Sequence, residues 1–232
     1  MNLIGIIGAM DVEIEGILAV MTDITTTAAG GLDFHTGRLN GKDVVVVKCR
    51  IGKVNAAMCV TVMLNKFEAD CVINLGVAGA AHDSLNIGDV VVSKNLVQHD
   101  MDARPYYAPG QVPGLAVFLP ADERLASIAA EACNDVFSNL DNKAYIATIA
   151  TGDIFVHERA VKQHINSTFD AYCIEMEGAA IAQVCHLANA PFVAIRAISD
   201  KAEGGAEVDF EEFVATSAAY SSKIVAKMVD NM

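Results

Sequence analysis

The chain has 232 residues, 53% of them hydrophobic and 19% charged, enough apolar material to bury a full core in one domain spanning residues 1–232. Its formal net charge of -13 excludes a nucleic-acid or anionic-membrane surface, which needs clustered Lys and Arg. Acids or amides interrupt each apolar stretch before the roughly 20 residues a spanning helix requires, so no membrane partner is expected either.

The first segment, Met1 to Met10, carries no basic leader and meets Asp11 and Glu13, which predicts a first strand over 3–9 and a cytoplasmic location. A helix is predicted over 11–20. Residues 30–41 contain Gly30-Gly31 and Asn40-Gly41, turn signals that imply hairpins and hence some antiparallel pairing. Apolar, β-branched runs then predict strands over 43–49, 71–77, 87–93, 144–150 and 191–198, of the kind buried on both faces. Helical patterns fall between them at 53–67, 121–137, 177–188 and 209–229. Alternating strands and helices predict an α/β fold with a largely parallel but mixed sheet.

Residues 101–114 are the least regular, with Pro105, Pro109 and Pro113 beside Tyr106 and Tyr107. They form an interface or lid segment, or an ordinary surface loop with packed tyrosines. The six cysteines show no CxxC spacing and read as reduced core residues. The six histidines are scattered, with no pair at ligand spacing; no metal and no cofactor are expected.

Ligands of open α/β sheets sit beyond the carboxyl ends of the strands, so the residues that follow each apolar run carry the functional signal. The first strand leads into Met10, Asp11 and Glu13. Strand 71–75 leads into Gly76-Val77-Ala78-Gly79, strand 172–174 into Glu175-Met176-Glu177, and strand 191–198 carries Arg196 and ends in Ser199-Asp200. Each has a structural reading. Glu13 complements a helix dipole, Asp200 caps a turn, Glu177 opens a helix, and Gly76 and Gly79 permit a tight turn. Three carboxylates and one Arg at equivalent topological positions, in segments otherwise apolar, together point to a site. Strand alternation puts Arg196, Ile198 and Asp200 on one face and Ser199 on the other.

Taken in order, several segments resemble the nucleoside phosphorylase and nucleosidase superfamily, most closely the bacterial 5′-methylthioadenosine/S-adenosylhomocysteine nucleosidases. They are Gly5 to Met10 with Glu13, Ile51-Gly52-Lys53-Val54, Gly88-Asp89-Val90-Val91 with His99-Asp100, Thr151-Gly152-Asp153 with Phe155, Glu175-Met176-Glu177, Arg196 to Asp200, and Phe210 with Glu212-Phe213. The resemblance implies a three-layer α/β/α sandwich around a central mixed β-sheet, a homodimer, and hydrolysis of an adenine nucleoside to adenine and a 5-thio-ribose. It also implies roles. Glu13 activates water, Glu177 holds the ribose hydroxyls, and Asp200, oriented by Ser199, protonates adenine N7. Phe155 stacks on the base and Val156 offers it backbone contacts, with Glu175, Ala78, Gly79 and Arg196 around them. Met176 lies along the ribose, and Met10, Ile51 and Phe210 wall the 5′-alkylthio group, a wall the partner chain completes with Tyr106 or Tyr107 and Pro113. Val77 departs from the pattern, since many members carry Ser there.

The chemistry accounts for these residue types. Breaking an N-ribosyl bond builds positive charge on the sugar and negative charge on the base, so a proton donor is needed at one end and a base at the other. A phosphorylase would need several cations for a phosphate dianion, whereas the first loop offers Asp11, Glu13 and Glu15. Hydrolysis therefore ranks above phosphorolysis, and a futalosine-type nucleosidase is the nearest alternative.

Overall fold

The computed structural model describes residues 3–201 and 206–232, apart from the side chains of 206–211. The chain runs β1 (Ile4–Gly8), α1 (Asp11–Leu18), β2 (Thr22–Ala29), β3 (Leu32–Leu39), β4 (Lys42–Lys48), α2 (Lys53–Lys66), β5 (Cys71–Ala80), β6 (Val90–Gln98) and β7 (Leu119–Pro120). It continues α3 (Glu123–Val136), β8 (Ala144–Thr151), α4 (Arg159–Phe169), β9 (Ala171–Glu175), α5 (Gly178–Ala188), β10 (Phe192–Asp200) and α6 (Ala206–Asn231).

The valines of β4 show why the fold has three layers. Val45 and Val47 face a cluster that includes Cys59 and Met63 of α2 and Ile181 and Cys185 of α5. Val44 and Val46, one residue out of phase, face Ile14 and Ile17 of α1, Ala129 and Cys133 of α3, and Ile224 and Met228 of α6. A strand whose side chains alternate between two helical layers must be apolar on both faces, as these four valines are. Helices α2 and α5 therefore cover one face of the sheet, and α1, α3 and α6 the other.

The sheet is mixed. Strands β1, β4, β5 and β10 pair in parallel, while β2 with β3 and β3 with β4 form the antiparallel hairpins that the glycine turns predicted. The path runs β10-β6-β8-β9-β5-β1-β4-β3-β2, and β10 also pairs with β5. Five strands thus close on themselves, a closure that residue pattern alone did not suggest.

Three sequence expectations change. The glycine segment 76–79 is not a loop after a strand; it lies inside β5, whose far end pairs with β9 at Gly79 and Ala80. The strand expected over 87–93 runs from Val90 to Gln98, crossing its polar middle by a register shift between Ser93 and Asn95. Helix α4 was not anticipated, because among its residues only Ile165, Phe169 and Lys162 are buried, too sparse a stripe to show as a periodic apolar pattern.

Candidate active site

The carboxyl ends of β1, β5, β9 and β10 open into one cleft. Its lining brings together Glu13, Glu177 and Asp200 with Met10, Ile51, Val77, Ala78, Gly79, Phe155, Val156, Glu175, Met176 and Ser199. Ile154, which the sequence did not single out, lines it too. Its place between Asp153 and Phe155 was the available signal.

Glu13 sits in the first turn of α1 and is buried. Its Oε2 accepts hydrogen bonds from the backbone N–H groups of Ala9 at 2.6 Å and Met10 at 2.9 Å. Its Oε1 accepts from Val77 N–H at 3.0 Å. Burial raises its pKa above the usual carboxylate value, against the opposing pull of Arg196 and these N–H donors. Gly76 permits the arrangement: a Cβ there would run into Arg196 Nη1 and lie 2.5 Å from Glu13 Oε1.

Glu175 and Glu177 are both buried but do different things. Glu175 accepts from Glu177 N–H at 3.0 Å and Gly178 N–H at 2.7 Å, and also from the Thr151 hydroxyl and Arg196. Thr151 in turn accepts from Ala179 N–H at 2.8 Å. Glu175 is therefore spent on holding the first turn of α5, where exposed N–H groups favour an anion. Among the described residues Glu177 has only Gly52 N–H, at 2.9 Å on Oε1, and Arg196 at 3.7 Å from Oε2. Burial first, then the Glu175 charge, pushes its pKa up to about 8.

Arg196 was expected among the ligand contacts. It lies instead beneath the cleft floor, fully buried, bound to Glu175, to Asn74 Oδ1 at 2.5 Å and to the Leu75 carbonyl at 3.1 Å. Burial alone would lower its pKa, but the Glu175, Glu177 and Glu13 charges raise it. The guanidinium is thus a fixed counter-charge under three acids.

Strand alternation placed Ser199 opposite Asp200, yet both line the cleft. The cause is the irregularity in β10 between Ile198 and Asp200, which turns two consecutive side chains the same way. Ser199 Oγ lies 3.1 Å from Asp200 Oδ1 and donates to it. Asp200 Oδ2 accepts from Lys162 Nζ at 2.6 Å, a residue the sequence reading missed. Lys162 belongs to α4 and is fully buried; its spacing of three and seven residues from Ile165 and Phe169 was the only signal.

Tyr106, Tyr107 and Pro113 do not line this cleft and are exposed in the single chain, Tyr106 at 86%. Phe210 lies outside the residues whose side chains are described.

A family model described as "Phosphorylase superfamily" matches residues 3–230. A 5′-methylthioadenosine/S-adenosylhomocysteine nucleosidase of Anoxybacillus flavithermus is 44% identical over 231 residues, covering 99% of this chain and 98% of the relative. One from Bacillus subtilis is 41% identical over 229 residues, covering 97% of each. Among solved structures, the nucleosidase of that name from Neisseria meningitidis, in complex with methylthio-immucillin-A, is similar with a TM-score of 0.95 at 38% identity over 100% of both chains. Futalosine hydrolase of Helicobacter pylori is similar with a TM-score of 0.93 at 37% identity, over 100% of this chain and 98% of that one.

Proposed function

The chain belongs to the phosphorylase superfamily, and within it we propose that this cleft hydrolyses the N-glycosidic bond of 5′-methylthioadenosine and S-adenosylhomocysteine, releasing adenine and a 5-thio-ribose. The chain is a nucleosidase: full-length relatives at 44% and 41% identity carry that name. The observation that carries hydrolysis over phosphorolysis is the disposition of charge. Glu13, Glu177 and Asp200 face one cleft, while Arg196 and Lys162 are each fully buried behind a carboxylate. A phosphate dianion needs accessible cations or open N–H groups. Here the N–H groups of Ala9, Met10 and Val77 are taken by Glu13.

In this reading Glu13 receives a proton from the attacking water, and the water oxygen bonds to C1′ as the C1′–N9 pair departs with the base. Asp200 gives a proton to N7, and Glu177 binds ribose hydroxyls; positive charge growing on the sugar favours its carboxylate over the protonated form that burial favours in the free site, so the interaction strengthens as charge develops. Phe155, 43% exposed at the mouth, packs on the base. Met176, Met10 and Ile51 receive the ribose and the 5′ group.

A homodimer and a cytoplasmic location belong to the same proposal. Val54, Ile51 and Ile154 are 80%, 51% and 55% exposed. Lys53 brings them together, its N–H 2.8 Å from Asp153 and its ammonium 2.7 Å from Asp100. That apolar rim at the cleft mouth suits a second copy whose Tyr106, Tyr107 and Pro113 would cover the 5′ end. The six buried free thiols suit a reducing compartment.

The test is adenine release from 5′-methylthioadenosine in phosphate-free buffer, expected to proceed at full rate; strict dependence on added phosphate would overturn hydrolysis. The likeness to futalosine hydrolase supports a second reading, a futalosine-type substrate with a bulkier 5′ group, which the same assay with that nucleoside measures.

A further inference from the structure

The proposed chemistry uses three carboxylates and leaves one buried cation without a task. Helix α4 turns Lys162, Ile165 and Phe169 inward, toward an apolar cluster that includes Val97, Ala150 and Ile174. An ammonium in such a place is disfavoured unless it is paired and hydrogen-bonded. Its partners are Asp200 Oδ2 at 2.6 Å and the Lys201 carbonyl at 3.3 Å. β5 leaves room for the pair through a glycine: a Cβ on Gly79 would lie 2.8 Å from Asp200 Oδ2 and 3.2 Å from Lys162 Nζ. Two elements far apart in sequence thus place a charge on one oxygen of one cleft carboxylate.

We propose that Lys162 is the positioning residue for departure of the base. It holds Asp200 by Oδ2, so that Oδ1 faces adenine, and its charge balances the carboxylate left behind when the Asp200 proton moves to N7. The inference rests on the reading of Asp200 as the acid. The balance is simple: the proton leaves Asp200 and bonds to N7, the C1′–N9 electron pair passes to the base, and Lys162 neither gains nor loses a proton. Ser199 fits the same scheme. Its hydroxyl lies 3.1 Å from Asp200 Oδ1 and 3.5 Å from the Ala78 carbonyl, so it can turn to the carbonyl while Oδ1 carries the proton and return once the carboxylate forms.

The test compares two substrates with the same sugar, 5′-methylthioadenosine and a 4-nitrophenyl 5-methylthio-ribofuranoside, whose nitrophenolate leaves without being protonated. K162M should lower kcat on the nucleoside about 10²-fold, the scale of losing one preorganised charge contact, and leave the nitrophenyl substrate near the wild-type rate. K162R should recover part of the loss, and K162M added to D200N should cost nothing further. If K162M does not fold, K162Q serves in its place. Equal loss on both substrates would show a structural lysine only, and no loss on either would equally overturn the proposal. If D200N itself hydrolyses the nucleoside at the wild-type rate, the acid assignment is what fails. If D200N separates the two substrates and K162M does not, the acid stands and Lys162 falls.

Discussion

Replacing Glu13 by Gln removes the group placed to take a proton from water while barely changing its volume, and the structure says what else it does. The carboxylate accepts three backbone N–H groups, from Ala9 at 2.6 Å and Met10 at 2.9 Å on one oxygen and from Val77 at 3.0 Å on the other. A glutamine has one acceptor oxygen. Whichever way its amide is turned, an NH₂ group must face at least one of those N–H donors, and one buried donor left without an acceptor costs about 1–3 kcal/mol. Relief of the burial that raises the Glu13 pKa works in the opposite direction. The folded state should survive with a melting temperature lowered by a few degrees, since each kcal/mol moves Tm by about 2–4 °C at this size. Turnover should fall about 10²–10⁴-fold, the span of a lost general base. The assay is adenine release beside a thermal melt. A folded variant that turns over at the wild-type rate would refute the role of Glu13, and a loss of activity explained wholly by unfolding would leave the base unidentified.

Gly76→Ala should impair both stability and turnover. The new methyl group would lie 2.5 Å from Glu13 Oε1 and meet Arg196 Nη1, an overpacking worth about 1–3 kcal/mol; a melt and a rate both equal to wild type would contradict it. The raised pKa of Glu177, about 8 against 4.5, has a defined sign: its protonated form is favoured by the fold. The stability it contributes is complete below pH 4.5 and is lost as pH rises through about 8. Denaturation midpoints of Glu177→Gln should therefore decline less between those limits than the wild type's, and parallel curves would refute the shift.

The strands that carry the site were legible because their runs are mainly apolar. β1 and β10 each run between two helical layers, and such strands need no polar face. The acids that follow or end them, Glu13 and Asp200, stood out against that background. What was not legible depends on contacts distant in sequence. Arg196 reads from its strand as a ligand contact, and only Glu175, Asn74 and Leu75 arriving from two other strands bury it. Ser199 reads as facing away from Asp200, and only the irregular pairing with β5 brings the two together. Lys162 was invisible for a related reason. A lysine on a polar helix is normally a solvated one, and nothing local reveals that an aspartate from β10 lies 2.6 Å away.

These misreadings share a physical origin that bears on the reaction. In both the Arg196 and Lys162 pairs the cation is fully buried and the carboxylate is the member that reaches the cleft. A cleft built this way offers a substrate carboxylates and apolar side chains, with positive charge held one layer down. Such a lining repels a phosphate or a 5′-phosphorylated ligand, because the outer charge is the one the ligand meets at short range. It suits a neutral nucleoside that becomes cationic at the sugar on the way to cleavage. The buried cations offset the like charges that these acids crowd into one low-dielectric space. Val77 follows from the same arrangement. Its N–H is committed to Glu13 and its side chain adds an apolar surface to the cleft, so the position serves Glu13 through its backbone, and its side chain contributes no hydrogen bond to the water or the ribose.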